Sequence, residues 1–509
     1  MSPATQAPGS ASNSPPPPQR SLGSHAARGA AVTMGGQAAK IAIQFGGIIL
    51  LARLLTPYDY GLLAMVVSIV GIGEILRDFG LSSAAVQAKS VSQAQRSNLF
   101  WINSGIGLGL GLVIFFSARG IAAFYREPAL VLIAQVLSFT FLVNGMTTQY
   151  RAQLVRDLKF AKIATADVSA QALGLGVGVA CALLWKNYWA LVAQQVVQSV
   201  TGLVVMMIAT RWLPGRPRRH VEMSGFLSFG WTLMATQMLA YASQNLGQVI
   251  IGNRIGAQAL GLYNRAFQLL MMPLYQINAP ATTVALPVLS RLQDEPARFD
   301  AFLLRGQTVL LHVIISIFVF GCAQARPLIE LVLGAHWVSA VEIFQVLTIG
   351  GLFQAAGYAA YWVFLSKGLG KAQLTNSVVG RVLMIAAIVV GSHWGAIGVA
   401  AGYSLGLALI WPFSLFWISR CTQAPVREMF HNGLRAILGY GIGGIASWAA
   451  VRHFMQDQSL IVQLLIGGAV MALAFGLVCL LWPAFRRDVV SILNSRSLLA
   501  SARASKGVA

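Results

Sequence analysis

Charge is scarce in this chain. Only 10% of its 509 residues are Asp, Glu, Lys or Arg, where soluble globular proteins carry about 25%. Acids are scarcer still: 15 Asp and Glu stand against 36 Lys and Arg, a formal net charge of +21. With so little charge to clothe a surface, a cytosolic enzyme is excluded. The four cysteines, Cys181, Cys322, Cys421 and Cys479, are too few for a disulfide scaffold, and no pair has metal-ligand spacing. The seven histidines are scattered in the same way. No Gly-X4-Gly-Lys-Ser/Thr phosphate loop and no Asp-X-Asp pair occurs. No catalytic constellation, metal or cofactor is expected. Period-two alternation is also lacking, which excludes a porin.

What is present is apolar. Hydrophobic residues make up 56% and the mean hydropathy is +0.68. A transmembrane helix needs roughly 20 apolar residues. Runs of that kind fall at about 32–56, 60–83, 97–118, 129–150, 163–185, 188–210, 223–252, 260–289, 306–326, 340–366, 372–391, 394–419, 434–452 and 459–483. The sequence therefore predicts an all-α polytopic membrane protein of about fourteen helices. Gly256-Ala257 and Gly395-Ala396 mark the two least obvious splits. Residues 1–30, with Pro15-Pro16-Pro17-Pro18, read as a disordered tail, and 486–509 as a basic tail.

The basic residues test the count. With the N-terminus inside and strict alternation, 25 of the 36 fall in inside segments and 7 in outside segments. The other four, Lys40, Arg77, Arg265 and Arg381, lie within runs. The asymmetry persists to the last run, so both termini are expected in the cytoplasm. The positive excess is then a topology signal that also attracts anionic lipid, and no nucleic acid is expected. Glycine pairs four apart, at Gly105/Gly109, Gly174/Gly178, Gly398/Gly402/Gly406 and Gly439/Gly443, are expected at close helix contacts.

An internal duplication is legible at a shift of 200 residues. Gln37, Ala42, Gln44, Gly47, Gly61 and Leu62 recur as Gln237, Ala242, Gln244, Gly247, Gly261 and Leu262. Ala118-Arg119 recurs as Ala325-Arg326, and Gln135-Val136-Leu137 as Gln345-Val346-Leu347. Six helices separate the repeats, an even number, so they are parallel. The expected division is a first lobe over 31–213, a linker over 214–222, a second lobe over 223–419 and two further helices over 432–485. A cavity between the lobes is the expected substrate site.

Polar groups inside the runs are the candidate site residues, because an ionisable side chain in lipid needs a cavity or a partner. Gln37, Lys40 and Gln44 share one helical stripe, and Gln237, Tyr241, Gln244 and Gln248 another. Cavity lining and interhelical hydrogen bonding are the two readings of these stripes, the first preferred. Glu74, Arg77 and Asp78 share a face. They read first as a locally neutralised cluster at the membrane edge, and alternatively as a gate or ion-coupling group. Asn264, Arg265 and Gln268 lie on the eighth run. Arg265 has no acid within a turn, and either snorkels or faces the cavity, where its planar fork suits a phosphate. Arg381 has the same two readings.

Two stretches carry a resemblance. The first is Leu54-Leu55-Thr56-Pro57-Tyr58-Asp59-Tyr60-Gly61-Leu62 with Asp78-Phe79-Gly80-Leu81-Ser82-Ser83-Ala84. The second is Gly261-Leu262-Tyr263-Asn264-Arg265-Ala266, running on to Ala285-Leu286-Pro287-Val288-Leu289-Ser290-Arg291-Leu292-Gln293. Together they resemble the polysaccharide repeat-unit (Wzx-type) flippases, exopolysaccharide and colanic-acid branch, of the multidrug/oligosaccharidyl-lipid/polysaccharide exporter superfamily. The resemblance covers roughly 32–420. It implies a MATE-like fold in the bacterial inner membrane and an undecaprenyl-diphosphate-linked oligosaccharide as substrate, moved by alternating access of the two lobes. Lys40, Arg265 and Arg381 would then offset the diphosphate, while Gln37, Gln44, Gln237, Gln244, Asn264 and Gln268 would meet sugar hydroxyls. Membrane lipids, a polysaccharide polymerase and a chain-length regulator are the partners it implies. A multidrug antiporter and a peptidoglycan-precursor flippase of the same superfamily are the rival readings.

Overall fold

A computed structural model describes residues 20–78, 92–218, 241 and 245–492, without the side chains of 20–34, 72 and 75–78. Helix follows helix, and no strand occurs among the described residues. The first six are α1 (Arg20–Leu54), α2 (Pro57–Asp78), α3 (Gln93–Tyr125), α4 (Leu130–Arg156), α5 (Phe160–Trp185) and α6 (Trp189–Thr210). The seventh run is described at 241 and over 245–254, here α7. Then come α8 (Ala257–Arg291), α9 (Pro296–Ala323), a short connecting helix (Ala325–Val332), α10 (Ala340–Ser366), α11 (Gly370–Gly391), α12 (Gly395–Cys421), α13 (Val426–Phe454) and α14 (Leu460–Leu481).

Ten segments of the described chain are long and apolar enough to cross a membrane. One of them, 370–421, holds both α11 and α12, divided by a 3₁₀ turn at Ser392–Trp394 and by Gly395 at φ +74°. That backbone favours glycine. The chain is a multi-pass membrane protein. Helix α2 has a shorter apolar stretch, Pro57–Gly71, and α8 carries Pro273, Pro280 and Pro287.

Both expected tails are shorter than their composition suggests. Helix α1 already begins at Arg20, because proline stops at Pro18 and the Ala-rich chain beyond it favours helix. At the other end 483–492 is helical. Phe485 there is fully buried, and Asp488 receives a bidentate hydrogen bond from Arg435 at 2.5 and 2.9 Å. One aromatic and one ion pair hold this segment against α13.

The glycine expectation is met at three places and corrected at one. Gly398, Gly402 and Gly406 press α12 onto α11, Gly174 and Gly178 press α5 onto α6, and Gly439 and Gly443 meet Phe485 and Met471. Gly105 and Gly109 face open space instead, and it is Gly107 and Gly111 that touch the α4 backbone at Phe141 and Ser138. Spacing is identical for the two pairs, and only the rotation of α3 decides which faces a neighbour.

Helices α1–α6 pack among themselves, as do α8–α12, while α13 and α14 lie along α9 and the connecting helix. One continuous apolar core runs through both groups. Helix α2 crosses α8 directly between them. A Cβ on Gly61 would stand 1.7 Å from the Ala257 carbonyl oxygen, and one on Gly261 would stand 1.8 Å from that of Pro57. The two contacts exchange under the 200-residue shift, as a two-fold axis requires. Both helices run antiparallel to α7. Gly252 meets Met65, while Tyr241 donates to the Val67 carbonyl at 3.0 Å. Gly252 also meets Leu260, while Gln248 bonds Asn264. Helices α2 and α8 are therefore parallel to each other, and the axis lies along them.

Candidate functional site

The site is built from polar side chains on the helices that face the junction of the two groups. The face where α1 ends and α2 begins is called distal here, and the opposite face proximal.

At the distal end the start of α2 is fixed by its own residues. Thr56 caps the helix: its backbone N–H donates to Asp59 Oδ2 at 2.9 Å, and its hydroxyl to the same oxygen at 2.6 Å. Pro57 occupies the first turn, where its missing N–H leaves no partner unserved. This geometry fixes Tyr60, which is 2% exposed, and Gly61 at the crossing with α8. The Arg265 guanidinium lies over the Tyr60 ring, 3.8 Å from its centroid. Its Nη1 donates to Gln268 at 2.5 Å, and its Nε is buried without a hydrogen-bond partner. No carboxylate pairs with it among the described residues. Arg265 thus neither snorkels nor meets an acid. It is held across the junction by a cation–π contact, and one buried donor is left over.

A turn between the connecting helix and α10 closes the same end. Trp337 is fully buried, donates its indole N–H to the Ala52 carbonyl at 2.8 Å, and meets the Tyr60 ring edge-on at 5.3 Å. Arg53 donates to the Leu331 carbonyl, and Asn253 to that of Phe124. Among the described residues, three of the four hydrogen bonds between α1–α6 and the chain from 241 onward lie in this distal part, the fourth being that of Tyr241 to Val67.

A polar chain runs inward from there. Asn264 donates to Gln248 at 2.8 Å, Gln248 to Asn245 at 3.1 Å, and Asn245 to the Tyr241 carbonyl at 3.0 Å. Two of the seventh-run stripe residues, Tyr241 and Gln248, thus face α2 and α8. Gln237 and Gln244 lie outside the described residues.

Lys40 sits in a different cluster, among α1, α4 and α5. Its Nζ is 3.6 Å from Asp167, which also receives a bidentate pair from Arg151 at 2.9 and 3.0 Å. The cluster keeps one net positive charge. Arg151 lies within α4. Gln37 is exposed and Gln44 half-buried on the same helix. Deeper in this group Gln198 donates to Gln171 at 2.8 Å. Arg381 is half-buried on α11. Glu74 accepts a hydrogen bond from Asn144 of α4 at 3.1 Å. The side chains of Arg77 and Asp78 lie outside the described residues.

Sequence reasoning missed Tyr60, Trp337 and the pairing of Asp167. Asp167 carried a signal, as an acid within an apolar run that must find a cation. Tyr60 and Trp337 carried none, since their roles depend on helices far apart in sequence.

The model of a family described as polysaccharide biosynthesis protein matches residues 50–342. The lipopolysaccharide biosynthesis protein WzxC of Escherichia coli (strain K12) is 26% identical over 359 residues, 70% of this chain and 73% of its own. Among solved structures, the lipid II flippase MurJ in an inward closed conformation superposes with a TM-score of 0.71 at 13% identity, over 90% of this chain and 99% of that one. An inward-facing multidrug resistance MATE family transporter of the MOP superfamily gives 0.57 at 15% identity, over 77% and 95%. At such identities the two structures share the fold with this chain.

Proposed function

Because the chain belongs to the family of polysaccharide biosynthesis proteins, we propose that it is a flippase for an undecaprenyl-diphosphate-linked oligosaccharide. In this reading the proximal face is cytoplasmic, as the basic residues argue. The chain crosses the inner membrane fourteen times, as two six-helix lobes with α13 and α14 alongside. The head group enters between the lobes from the cytoplasm, the lipid tail stays in the bilayer, and the lobes rock to expose the head group on the other side. In this reading the distal closure would seal the head group from the periplasm. Lys40 with its cluster, Arg265 and Arg381 would balance the diphosphate. Gln37, Gln44, Gln237, Gln244, Asn264 and Gln268 would serve the sugars, and Glu74, Arg77 and Asp78 the gate or its coupling ion. A polymerase and a chain-length regulator would take up the product.

Arg265 carries this reading. A cation at the lobe junction, stacked on a ring and left with a spare buried donor, is suited to an anion that arrives and leaves. A permanent carboxylate would hold it too firmly. A planar guanidinium meets phosphate oxygens two at a time. The test is transport of a fluorescent undecaprenyl-diphosphate oligosaccharide in proteoliposomes, by wild type, Arg265→Ala and Arg265→Lys. Wild type should transport, Ala should lose at least tenfold, and Lys should recover part. Absence of transport by wild type, or full transport by Ala at equal protein, overturns the assignment.

A further inference from the structure

A second, smaller apolar cluster lies at the proximal end of the first six helices, apart from the main core. Phe100 of α3, Tyr150 and Leu154 of α4, Ile163 of α5 and Met206 of α6 surround Trp212, which follows α6. The Trp212 ring meets Tyr150 edge-on at 5.6 Å, and the Arg96 guanidinium covers it at 4.3 Å. From this anchor the chain over 213–218 is strapped across the start of α3. Ser97 Oγ accepts from the Gly215 N–H at 3.1 Å, and the Trp101 indole donates to the Gly215 carbonyl at 2.8 Å. Asn98 accepts from the Arg218 N–H at 2.8 Å and donates to the Arg218 carbonyl at 2.7 Å. Pro214 and Pro217 have no N–H to satisfy. The strap is held by its backbone, so its cations stay outside. Arg211, Arg216 and Arg218 are exposed, and no carboxylate pairs with them among the described residues.

Two leucines project from the same end. Leu213, beside the anchor, is 75% exposed, and Leu158, in the turn from α4 to α5, is 73% exposed. Lys162 ties that turn to the end of α6 by donating to the Ala209 carbonyl at 2.7 Å. Leu158 sits at φ +52°. It closes a helix end in which its N–H bonds the Val155 carbonyl and the Lys159 N–H bonds that of Leu154. Glycine is the usual residue there, because a branched side chain in the left-handed region is strained. At such exposure the fold does little to offset the strain, which directs the side chain to a medium outside it. Depth decides the medium. Helix α6 has 22 residues and rises about 33 Å, slightly more than the ~30 Å hydrocarbon core. The strap and both leucines therefore stand at the headgroup layer. An apolar side chain finds the upper acyl chains there, and a guanidinium finds phosphodiesters.

We propose that this surface is a binding site for anionic phospholipid of the proximal leaflet. Arg211, Arg216 and Arg218 meet the headgroup phosphates, and Leu158 and Leu213 insert beside them. Asn98 is a positioning residue that holds the strap. A loose basic loop would be drawn to the same leaflet. Here side-chain hydrogen bonds already fix the backbone, so less conformational freedom is lost on binding. An acidic protein partner would meet the cations and give no role to leucines at headgroup depth. The site requires only that the chain spans a bilayer, and it is independent of what the chain transports.

The test uses the full chain with its four cysteines replaced by serine and a bimane on Pro217→Cys. It is placed in nanodiscs of phosphatidylcholine doped with doxyl-labelled phosphatidylglycerol or doxyl-labelled phosphatidylcholine. Quenching should favour the anionic lipid about tenfold. Replacing Arg211, Arg216 and Arg218 by glutamine should bring the ratio to about one. Asn98→Ala leaves every cation in place and should lower the ratio about threefold by freeing the strap. Inorganic phosphate at millimolar concentration should leave the ratio unchanged. A bimane moved to Leu158→Cys should be quenched by both labelled lipids and shielded from aqueous iodide. Leu158→Gly, which relieves the left-handed backbone, should melt higher in detergent than its parent, so the leucine is not there for the fold. Equal quenching by both lipids in the parent overturns the proposal, as does a preference that survives loss of the arginines or of Asn98. Suppression by phosphate would give the cations to a free anion. Iodide quenching at position 158 would put that surface in water, open to an acidic partner. A lower melting temperature for Leu158→Gly would make the leucine a folding residue. Each of these three also overturns the lipid site.

Discussion

The indole of Trp337 donates to the carbonyl of Ala52, 2.8 Å away and 285 positions earlier in the chain. Through this bond the turn before α10 is pinned to the last turn of α1, where a helix has carbonyls without internal partners. Trp337→Phe keeps the edge-on contact with Tyr60 and leaves the Ala52 oxygen without a partner. The expected result is easier distal opening, by about fivefold for a hydrogen bond worth ~1 kcal/mol. The measurement is labelling of Leu55→Cys, at a site 2% exposed, by a membrane-impermeant maleimide with the four native cysteines replaced by serine. An unchanged labelling rate would remove Trp337 from the closure.

Substitution at the α2–α8 crossing should be severe and specific. Gly261→Ala puts a methyl where the Pro57 carbonyl oxygen stands 1.8 Å away, and overpacking of this kind costs about 1–3 kcal/mol or more. Gly105→Ala meets nothing within 4 Å and should be neutral, or stabilising by up to ~1 kcal/mol through helix propensity. Thermal melting in detergent, followed by size exclusion, compares the two. Equal melting temperatures would mean that the helices do not cross there.

The cluster of Lys40, Arg151 and Asp167 should respond as a unit. Asp167→Asn leaves two cations without a carboxylate, and loss of one partner from a half-buried pair destabilises by a few kcal/mol at most, since Lys40 is 35% exposed and Arg151 47%. Adding Lys40→Met to Asp167→Asn should recover part of the loss. A double-mutant cycle on melting temperature or membrane abundance gives the coupling, and strict additivity would contradict it.

Topology can be read directly. In intact cells, single cysteines at Arg216 and Asp294 are expected to be shielded from an impermeant reagent, and at Asn187 and Asp457 to be reactive. Reactivity at Arg216 would break the fourteen-helix alternation at its centre.

The class of this protein was legible in its residues because bilayer crossing depends on local apolar content, and local content is what a sequence displays. Gly256 and Gly395 were legible as breaks for the same reason, since a φ near +109° or +74° is a property of one residue. The parallel repeat was legible from Gly61 and Gly261, and the structure gives that echo a physical cause in their reciprocal contacts with Ala257 and Pro57. Arg265 could be singled out as a cation in need of a partner. That its partner is the Tyr60 ring depends on how two helices 200 positions apart are rotated about their axes. Lys40 looked like a lone charge until α5 brought Asp167 beside it. Gly105 and Gly109 could not be told from Gly107 and Gly111, because a rotation of α3 exchanges them without changing the spacing. Tertiary packing alone decided these matters, since a side chain's partner across a bundle is set by helix rotation and crossing, which leave no periodic trace in the order of the residues.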